Sequence, residues 1–200
     1  LQIDSLGPVS LLNVIANGNK TESGVTIENC NWNGSVCLGS GDVTLAGTLQ
    51  FINNGNDGND DGLNISSRGN VTMADVIATG NKDEGVQISN TGSTTNAFVQ
   101  IGGTNLFTGN VGYGLYVNSK GAITASNVTA DGSTTVGGAF LDNEETGAVG
   151  GVTFTGSNSF SGNDDYGLQV YSLGAVNLNN ITANNNVTQF GANIFNAGTR

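Results

Sequence analysis

The sequence predicts an all-β protein with the fold of a right-handed parallel β-helix, a solenoid of about seven coils. Short apolar pairs with a spacing of two residues recur along the chain, which is the periodicity of strands with one inward face. Turns rich in Gly, Asn, Asp and Ser separate the pairs and leave no room for helices. Nearly the same eight residues occur twice, GTNLFTGN at 103–110 and GSNSFSGN at 156–163, a distance of 53 residues.

The first apolar pair of each coil follows a glycine and predicts the first strand. Its members are Val25/Ile27, Leu63/Ile65, Val86/Ile88, Leu115/Val117, Ala139/Leu141, Leu168/Val170 and Ala192/Ile194, and Leu1/Ile3 fits the same frame. The second pair predicts the second strand. Its members are Val9/Leu11, Val43/Leu45, Val71/Met73, Val99/Ile101, Ile123/Ala125, Val152/Phe154 and Val176/Leu178. Three short strands in each coil follow from this order.

The third segment of each coil ends in an apolar residue that we call the core plug. These residues are Ala16, Phe51, Ala78, Phe107, Ala130, Phe160 and Ala183, so Ala and Phe alternate strictly. A Phe ring needs more space than one coil rise of about 4.8 Å supplies, and an Ala on either side provides it. The structural repeat is therefore two coils, or about 53 residues, and seven coils form a rod of roughly 34 Å.

A polar residue follows each core plug by three positions. It is Asn19, Asn54, Asn81, Asn110, Asn163 or Asn186, with Ser133 as the exception. Side-chain amides are donors and acceptors at once, so we expect these residues to form a ladder along the rod axis.

Every insertion falls at the corner between the first and second strands, in every second coil. The largest loop, 28–42, contains the single Trp of the chain, Trp32, and both cysteines, Cys30 and Cys37. Repeat proteins often place function on the face that bears such insertions, so Trp32 is a candidate binding residue on the loop face. The cysteines allow a small disulfide loop in an oxidising compartment or two free thiols, and both interpretations stay open.

Composition excludes several function classes. The net charge is −11 with only 5 Lys+Arg, which does not fit binding to nucleic acid or to an anionic membrane. No apolar run approaches the roughly 20 residues of a membrane span, so we expect no membrane insertion. The chain has no His, which excludes a His-based triad and His-ligated metals.

A metal site is predicted from the stretch DGNDDG. It places Asp57, Asn59 and Asp61 at the first, third and fifth positions of a calcium loop, although the twelfth position is Arg68 rather than Glu. We expect Asp83 or Glu84 to complete a Ca²⁺ ligand set from the next coil. The alternative is a polar turn that binds no metal.

FINN (51–54), FTGN (107–110) and FSGN (160–163) match the FxxN motif of chlamydial polymorphic outer-membrane proteins, and GGAF (137–140) is close to their GGA[ILV] motif. More broadly, the chain resembles the β-helical passenger and stalk regions of large bacterial surface proteins. Pectate lyases and polygalacturonases, with a pectin-lyase-like solenoid, use a similar fold. The resemblance implies a surface-exposed adhesive or structural rod, located outside the cell or on its surface, with glycans or a cell receptor as partners.

The function expected from these observations is a non-enzymatic extracellular β-solenoid rod or filament segment that presents loops from one corner. We expect residues 1–200 to be one segment of a longer array, stacked on neighbouring coils of the same chain or end to end on other copies. The alternative is a β-helix that binds or cleaves polysaccharide. A cluster of carboxylates with a Lys or Arg in an open groove would favour that alternative.

Overall fold

The computed structural model describes residues 1–30, 32–33, 36–56, 58–93 and 96–198, and at 32, 33 and 36 it describes the backbone only. These residues form strands and turns. In chain order the strands are β1 (Gln2–Asp4), β2 (Val9–Ile15), β3 (Val25–Asn29), β4 (Trp32–Asn33), β5 (Val36–Cys37), β6 (Val43–Ile52), β7 (Leu63–Ser67), β8 (Val71–Ala74), β9 (Val76–Thr79), β10 (Val86–Asn90), β11 (Val99–Gly102), β12 (Asn105–Leu106), β13 (Leu115–Ser119), β14 (Ile123–Ser126), β15 (Val128–Thr129), β16 (Ala139–Asn143), β17 (Val152–Thr155), β18 (Asn158–Ser159), β19 (Leu168–Ser172), β20 (Val176–Leu178), β21 (Ile181–Thr182) and β22 (Ala192–Asn196). Within these ranges no helix occurs that is long and apolar enough to cross a membrane.

The chain winds into a right-handed parallel β-helix of about seven turns, which confirms the predicted fold class. The first strands of successive coils form one eight-stranded parallel sheet, which we call sheet A, in the order β1, β3, β7, β10, β13, β16, β19, β22. The register pairs equivalent positions of every coil, for example Ile65 with Ile88 and Ile88 with Val117. Inward residues therefore stack in apolar columns, and the residues between them form columns on the outer face.

The second and third strands of the coils form one twelve-stranded sheet, which we call sheet B. Its two rows are joined by β6, which at 10 residues is the longest strand in the described part of the chain. The chain passes the bend inside β6 at Gly47, whose φ is +77°, and the bend inside β2 at Asn13, whose φ is +55°. A residue in this left-handed conformation turns the chain without ending the ladder, so one strand serves both rows.

The core plugs lie where the alternation predicts. Phe51, Phe107 and Phe160 are fully buried, and Phe51 pairs in register with Ala78 of the next coil. Ala130, between Phe107 and Phe160, is equally buried. Each ring therefore has a small residue beside it along the axis, as close packing requires.

The predicted asparagine ladder is confirmed. The N–H and Nδ2 of Asn81 both donate to Oδ1 of Asn110, at 2.9 and 3.0 Å, and its Nδ2 also donates to the carbonyl of Phe51 at 3.0 Å. Asn54 makes the same set of bonds to Asn81 and to the carbonyl of Ala16. Each ladder Asn thus satisfies backbone groups of the neighbouring coil, which buried polar groups require.

The ladder explains why a glycine precedes five of the first strands. A Cβ added to that glycine would lie 2.5–2.7 Å from the amide nitrogen of a ladder Asn in the next coil. The pairs are Gly24 with Asn54, Gly62 with Asn81, Gly85 with Asn110, Gly138 with Asn163, and Gly167 with Asn186. A ladder Asn in one coil therefore requires a glycine before the first strand of the neighbouring coil.

A second alternation supports the two-coil repeat and was not predicted from the sequence. The residue at the bend between second and third strands has positive φ in seven coils. In order these residues are Asn13, Gly47, Asp75, Gly103, Asn127, Gly156 and Asn180. An Asn or Asp in one coil accepts a backbone hydrogen bond from the next coil, as from Thr48 to Asn13 at 2.9 Å. Its oxygen occupies the place that a Cβ of the following bend residue would need, so that residue is Gly.

Candidate functional site

The corner that bears the insertions is held by a disulfide. Cys30 and Cys37 are bonded with an S–S distance of 2.06 Å, and Cys37 ends β5, which pairs antiparallel with β4. The Nη1 of Arg68 donates to the carbonyl of Cys37 at 2.8 Å, and a Cβ on Gly92 would lie 3.0 Å from Cys37 Cβ. Loops of successive coils are therefore packed on one another. The side chain of Trp32 lies outside the described residues, so its binding role stays a prediction.

A cluster of carboxylates lies at the turns that precede β7 and β10. Possible ligand oxygens of Asp61, Asp83 and Glu84 all lie within 4.8 Å of one another. The two turns stack because the N–H of Gly62 donates to the carbonyl of Glu84 at 2.9 Å. Asp61 is only 1% exposed, and its Oδ1 accepts the N–H of Glu84 at 3.1 Å while its Oδ2 accepts Nδ2 of Asn64 at 2.6 Å.

Burial raises the pKa of two of these acids. The pKa of Asp61 rises to about 6, mainly through loss of water and further through the charge of Asp83. The pKa of Glu84 rises to about 7 for the same first reason, with the charge of Asp61 adding to it. Neighbouring carboxylates that lose water cannot all ionise cheaply, so the cluster holds a proton near neutral pH or attracts a cation.

The structure brings together only part of the predicted calcium site. Asp61, Asp83 and Glu84 form the cluster, Asn59 lies exposed in the preceding turn, and Asp57 lies outside the described residues. Carboxylate oxygens are the ligands that Ca²⁺ prefers, so these three side chains are able to contribute to such a site. Calcium binding itself stays a prediction.

A second feature, missed by the sequence analysis, is a row of aromatic rings on the outer face of sheet A. We call Tyr113, Tyr116, Phe140, Tyr171 and Phe195 the aromatic face. Their ring centroids are separated by 5.8 Å (113–116), 5.3 Å (116–140), 5.4 Å (140–171) and 5.9 Å (171–195). Phe195 is 53% exposed and the other four rings are half-buried. The rings form a continuous contact chain across four neighbouring strands.

Strand periodicity and register put these rings together. Tyr116 lies between the inward residues of β13 and therefore points outward, and Phe140 occupies the paired position in β16. Tyr171 and Phe195 are paired in the same way in β19 and β22. The signal in the sequence was in the two outward positions of the first strand. The position of Asn64 and Gln87 becomes Tyr116 and Phe140, and the position of Asp142 becomes Tyr171 and Phe195.

Acidic side chains border the aromatic face. Burial raises the pKa of Tyr113 to about 12, and the nearby charge of Asp165 contributes. Burial also raises the pKa of Tyr116, with contributions from the charges of Asp142 and Glu84. Since Glu84 also belongs to the carboxylate cluster, the cluster adjoins the aromatic face near Tyr113 and Tyr116. A shallow depression lined by Glu144, Tyr171, Asn193 and Phe195 continues the aromatic face.

Comparison with known proteins gives no relative from which a role could be transferred: no family model, no curated protein and no solved structure matches the chain. The parallel β-solenoid is therefore established by the structure, whereas the resemblance to chlamydial surface proteins and pectin lyases depends on short motifs and on the fold. A function for this chain is therefore inferred from the geometry of its surface sites.

Proposed function

We propose that this chain is a segment of a non-enzymatic extracellular rod that adheres to a partner through its aromatic face. The observation that carries the proposal is the contact chain of five rings, four on the outer surface of four adjacent strands and Tyr113 just before β13. The solenoid core is already filled by inward residues, so packing of the core does not require these rings. Grouped surface aromatics are typical of binding sites, because they supply large contact area at low entropic cost.

The carboxylate geometry supports binding rather than catalysis. Glycoside hydrolysis needs two carboxyl groups roughly 5–10 Å apart, on either side of the bond that is cleaved. The oxygens of Asp61, Asp83 and Glu84 are instead grouped within 4.8 Å of one another at two stacked turns, which suits a shared proton or a metal ion. Cleavage of polysaccharide is therefore the less favoured alternative, and polysaccharide binding remains the competing mode of adhesion.

The proposed location outside the cell is supported by the disulfide between Cys30 and Cys37. Disulfides persist in oxidising compartments and are rare in the cytosol. The continuous hydrogen-bonded ladders of sheets A and B suit a rod that spans distance under such conditions.

An adhesion assay tests the proposal. Labelled protein is applied to immobilised cells, cell-wall polysaccharides and extracellular-matrix proteins, and bound label is measured. We expect the double variant Tyr116→Ala/Phe140→Ala to lose at least tenfold in apparent affinity. The control is Thr26→Ala, which changes the same outward column three coils away. Equal binding of wild type and double variant, or no binding of the wild type to any surface, would contradict the adhesive role.

A separate measurement tests the absence of catalysis. The same polysaccharides are incubated with the protein, and new reducing ends and unsaturated products are quantified. We expect neither to increase over a protein-free control. Release of products that disappears in Glu84→Gln would show a carbohydrate-active enzyme instead.

A further inference from the structure

The side chains that border the aromatic face are acidic. Asp142 lies in β16 two positions after Phe140, and its Oδ1 accepts the N–H of Glu144 at 2.9 Å. Asp142 pairs in register with Tyr171, so its carboxylate and that ring are neighbours on the outer face of sheet A. The charges of Asp142 and Glu145 also act on the Tyr116 phenol, and that of Asp165 acts on Tyr113. Acidic groups thus lie beside Tyr113, Tyr116 and Tyr171 in a chain with 16 Asp+Glu and 5 Lys+Arg.

Rings with carboxylates beside them form a site for cations. The face of an aromatic ring attracts a positive group through its quadrupole, and the attraction grows as water is displaced. A guanidinium is planar and weakly hydrated, so it stacks on a ring while its N–H groups bind a carboxylate in the same plane. An ammonium group is a compact, strongly hydrated charge and makes less use of the rings.

Charge also argues against other ligands. An acidic polysaccharide or an acidic peptide would meet like charges along the whole border of Asp142, Glu145 and Asp165, which disfavours association. A neutral oligosaccharide would use the rings but would gain nothing from the net negative charge of the border.

We infer that the ligand of the aromatic face is an arginine-rich segment of a partner polypeptide, whose guanidinium groups stack on the rings and pair with the bordering carboxylates. This inference rests on the proposed adhesive function and names the chemistry of its partner. The segment lies along sheet A over four coils, so several arginines bind at once and their individual contacts add up through a shared chain.

Calorimetric titration tests the inference with defined probes: octa-arginine, octa-lysine, octa-glutamate and a neutral chito-oligosaccharide. We expect octa-arginine to bind at least fivefold more tightly than octa-lysine, and octa-glutamate not to bind. The variant Tyr116→Ala/Phe140→Ala keeps the net charge, so purely non-specific attraction predicts no change, whereas stacking predicts at least a tenfold loss. Should this variant fail to fold, Tyr171→Ala provides the same charge-neutral test.

A second pair of variants separates local from overall charge. Asp142→Asn and Asp4→Asn each remove one negative charge from the outer face of sheet A, but Asp4 lies in β1, far along the rod from the rings. We expect Asp142→Asn to weaken octa-arginine binding severalfold and Asp4→Asn to leave it nearly unchanged. Equal effects of the two, or no effect of the ring variant, would overturn the inference.

Failure of the ligand class is distinguishable from failure of the adhesive function. If the chito-oligosaccharide binds in a ring-dependent way and octa-arginine does not, the face is adhesive but its ligand is a neutral glycan. If octa-arginine binds through the rings while adhesion to cells is independent of them, the ligand chemistry holds and the proposed function fails.

Discussion

The asparagine ladder has one interruption, at Ser133, and repairing it should stabilise the protein. The Oγ of Ser133 is buried and has no hydrogen-bond partner among the described residues. A Cβ on Gly114 would lie 2.6 Å from the carbonyl of Phe107, with no amide nitrogen among its three nearest atoms, in contrast to the equivalent glycines of five other coils. Gly114 therefore already leaves the space that a side-chain amide at position 133 would require.

The substitution Ser133→Asn should restore the interactions that Asn81 makes in its own coil. The new Nδ2 would donate to the carbonyl of Phe107 and to Oδ1 of Asn163, and the new Oδ1 would accept from the N–H and Nδ2 of Asn110. Each bond contributes about 0.5–1.5 kcal/mol net, and ordering a longer side chain costs about 1 kcal/mol. We expect a gain of about 2 kcal/mol, which for a chain of this size raises Tm by roughly 4–8 °C.

Thermal unfolding followed by circular dichroism, with urea unfolding at 25 °C, measures this effect. The control is Ser157→Asn, the same chemical change at an exposed position, for which we expect almost no shift in Tm. The reverse change, Asn81→Ser, should cost at least about 2 kcal/mol because it leaves buried backbone groups unpaired. A Tm of Ser133→Asn at or below that of the wild type, with Asn81→Ser still destabilising, would refute the reasoning.

Three further predictions concern the core and the carboxylate cluster. Phe107→Ala should lower the free energy of unfolding by about 3–5 kcal/mol in urea titrations, and a loss below about 1 kcal/mol would contradict the alternating plugs. Because the pKa values of Asp61 and Glu84 are raised to about 6 and about 7 in the folded protein, the folded state binds more protons than the unfolded state above pH 4; the contribution of the cluster to stability is therefore complete below that pH and is lost as pH rises through 7. Glu84→Gln should flatten this decline in unfolding curves at pH 5, 6.5 and 8, and should raise stability at pH 8 by about 1–2 kcal/mol after solvent screening, whereas an unchanged pH profile would count against the shared proton. If the cluster binds calcium, millimolar Ca²⁺ should raise Tm at pH 8, EDTA should reverse this, and Asp61→Ala should abolish the difference; a melt that is insensitive to EDTA would leave a turn that binds no metal.

The fold could be predicted because the residues that become buried recur in the sequence with a spacing of two. Residues such as Val25, Leu63 and Val86 recur at the same place after a glycine, and stacking the coils in register buries them in one column. The alternation of Phe51 and Ala78 was predictable for the same reason, since both are interior residues whose sizes must match. The neighbourhood of Asp61 and Glu84 also followed from the coil frame.

The binding surface was harder to predict because solvent-facing positions follow no packing rule. Tyr116 and Tyr171 become neighbours of Phe140 only through the lateral register of three strands and through side-chain rotamers. The exposure of Asn59 could not be predicted either, since turn conformation depends on local hydrogen bonds and not on the hydrophobic pattern.

The core plugs and the bend residues both alternate with a period of two coils, and this restricts the lengths that the rod can have. Removing a coil with an Ala plug would place Phe above Phe in the core, whereas removing a coil with a Phe plug would remove the bend Gly and set an Asn or Asp oxygen against another side chain. Removing two coils restores both sequences of alternation at once. Recombination or design can therefore shorten or lengthen the rod only in steps of two coils, about 10 Å each, and every such step brings one further corner loop with it.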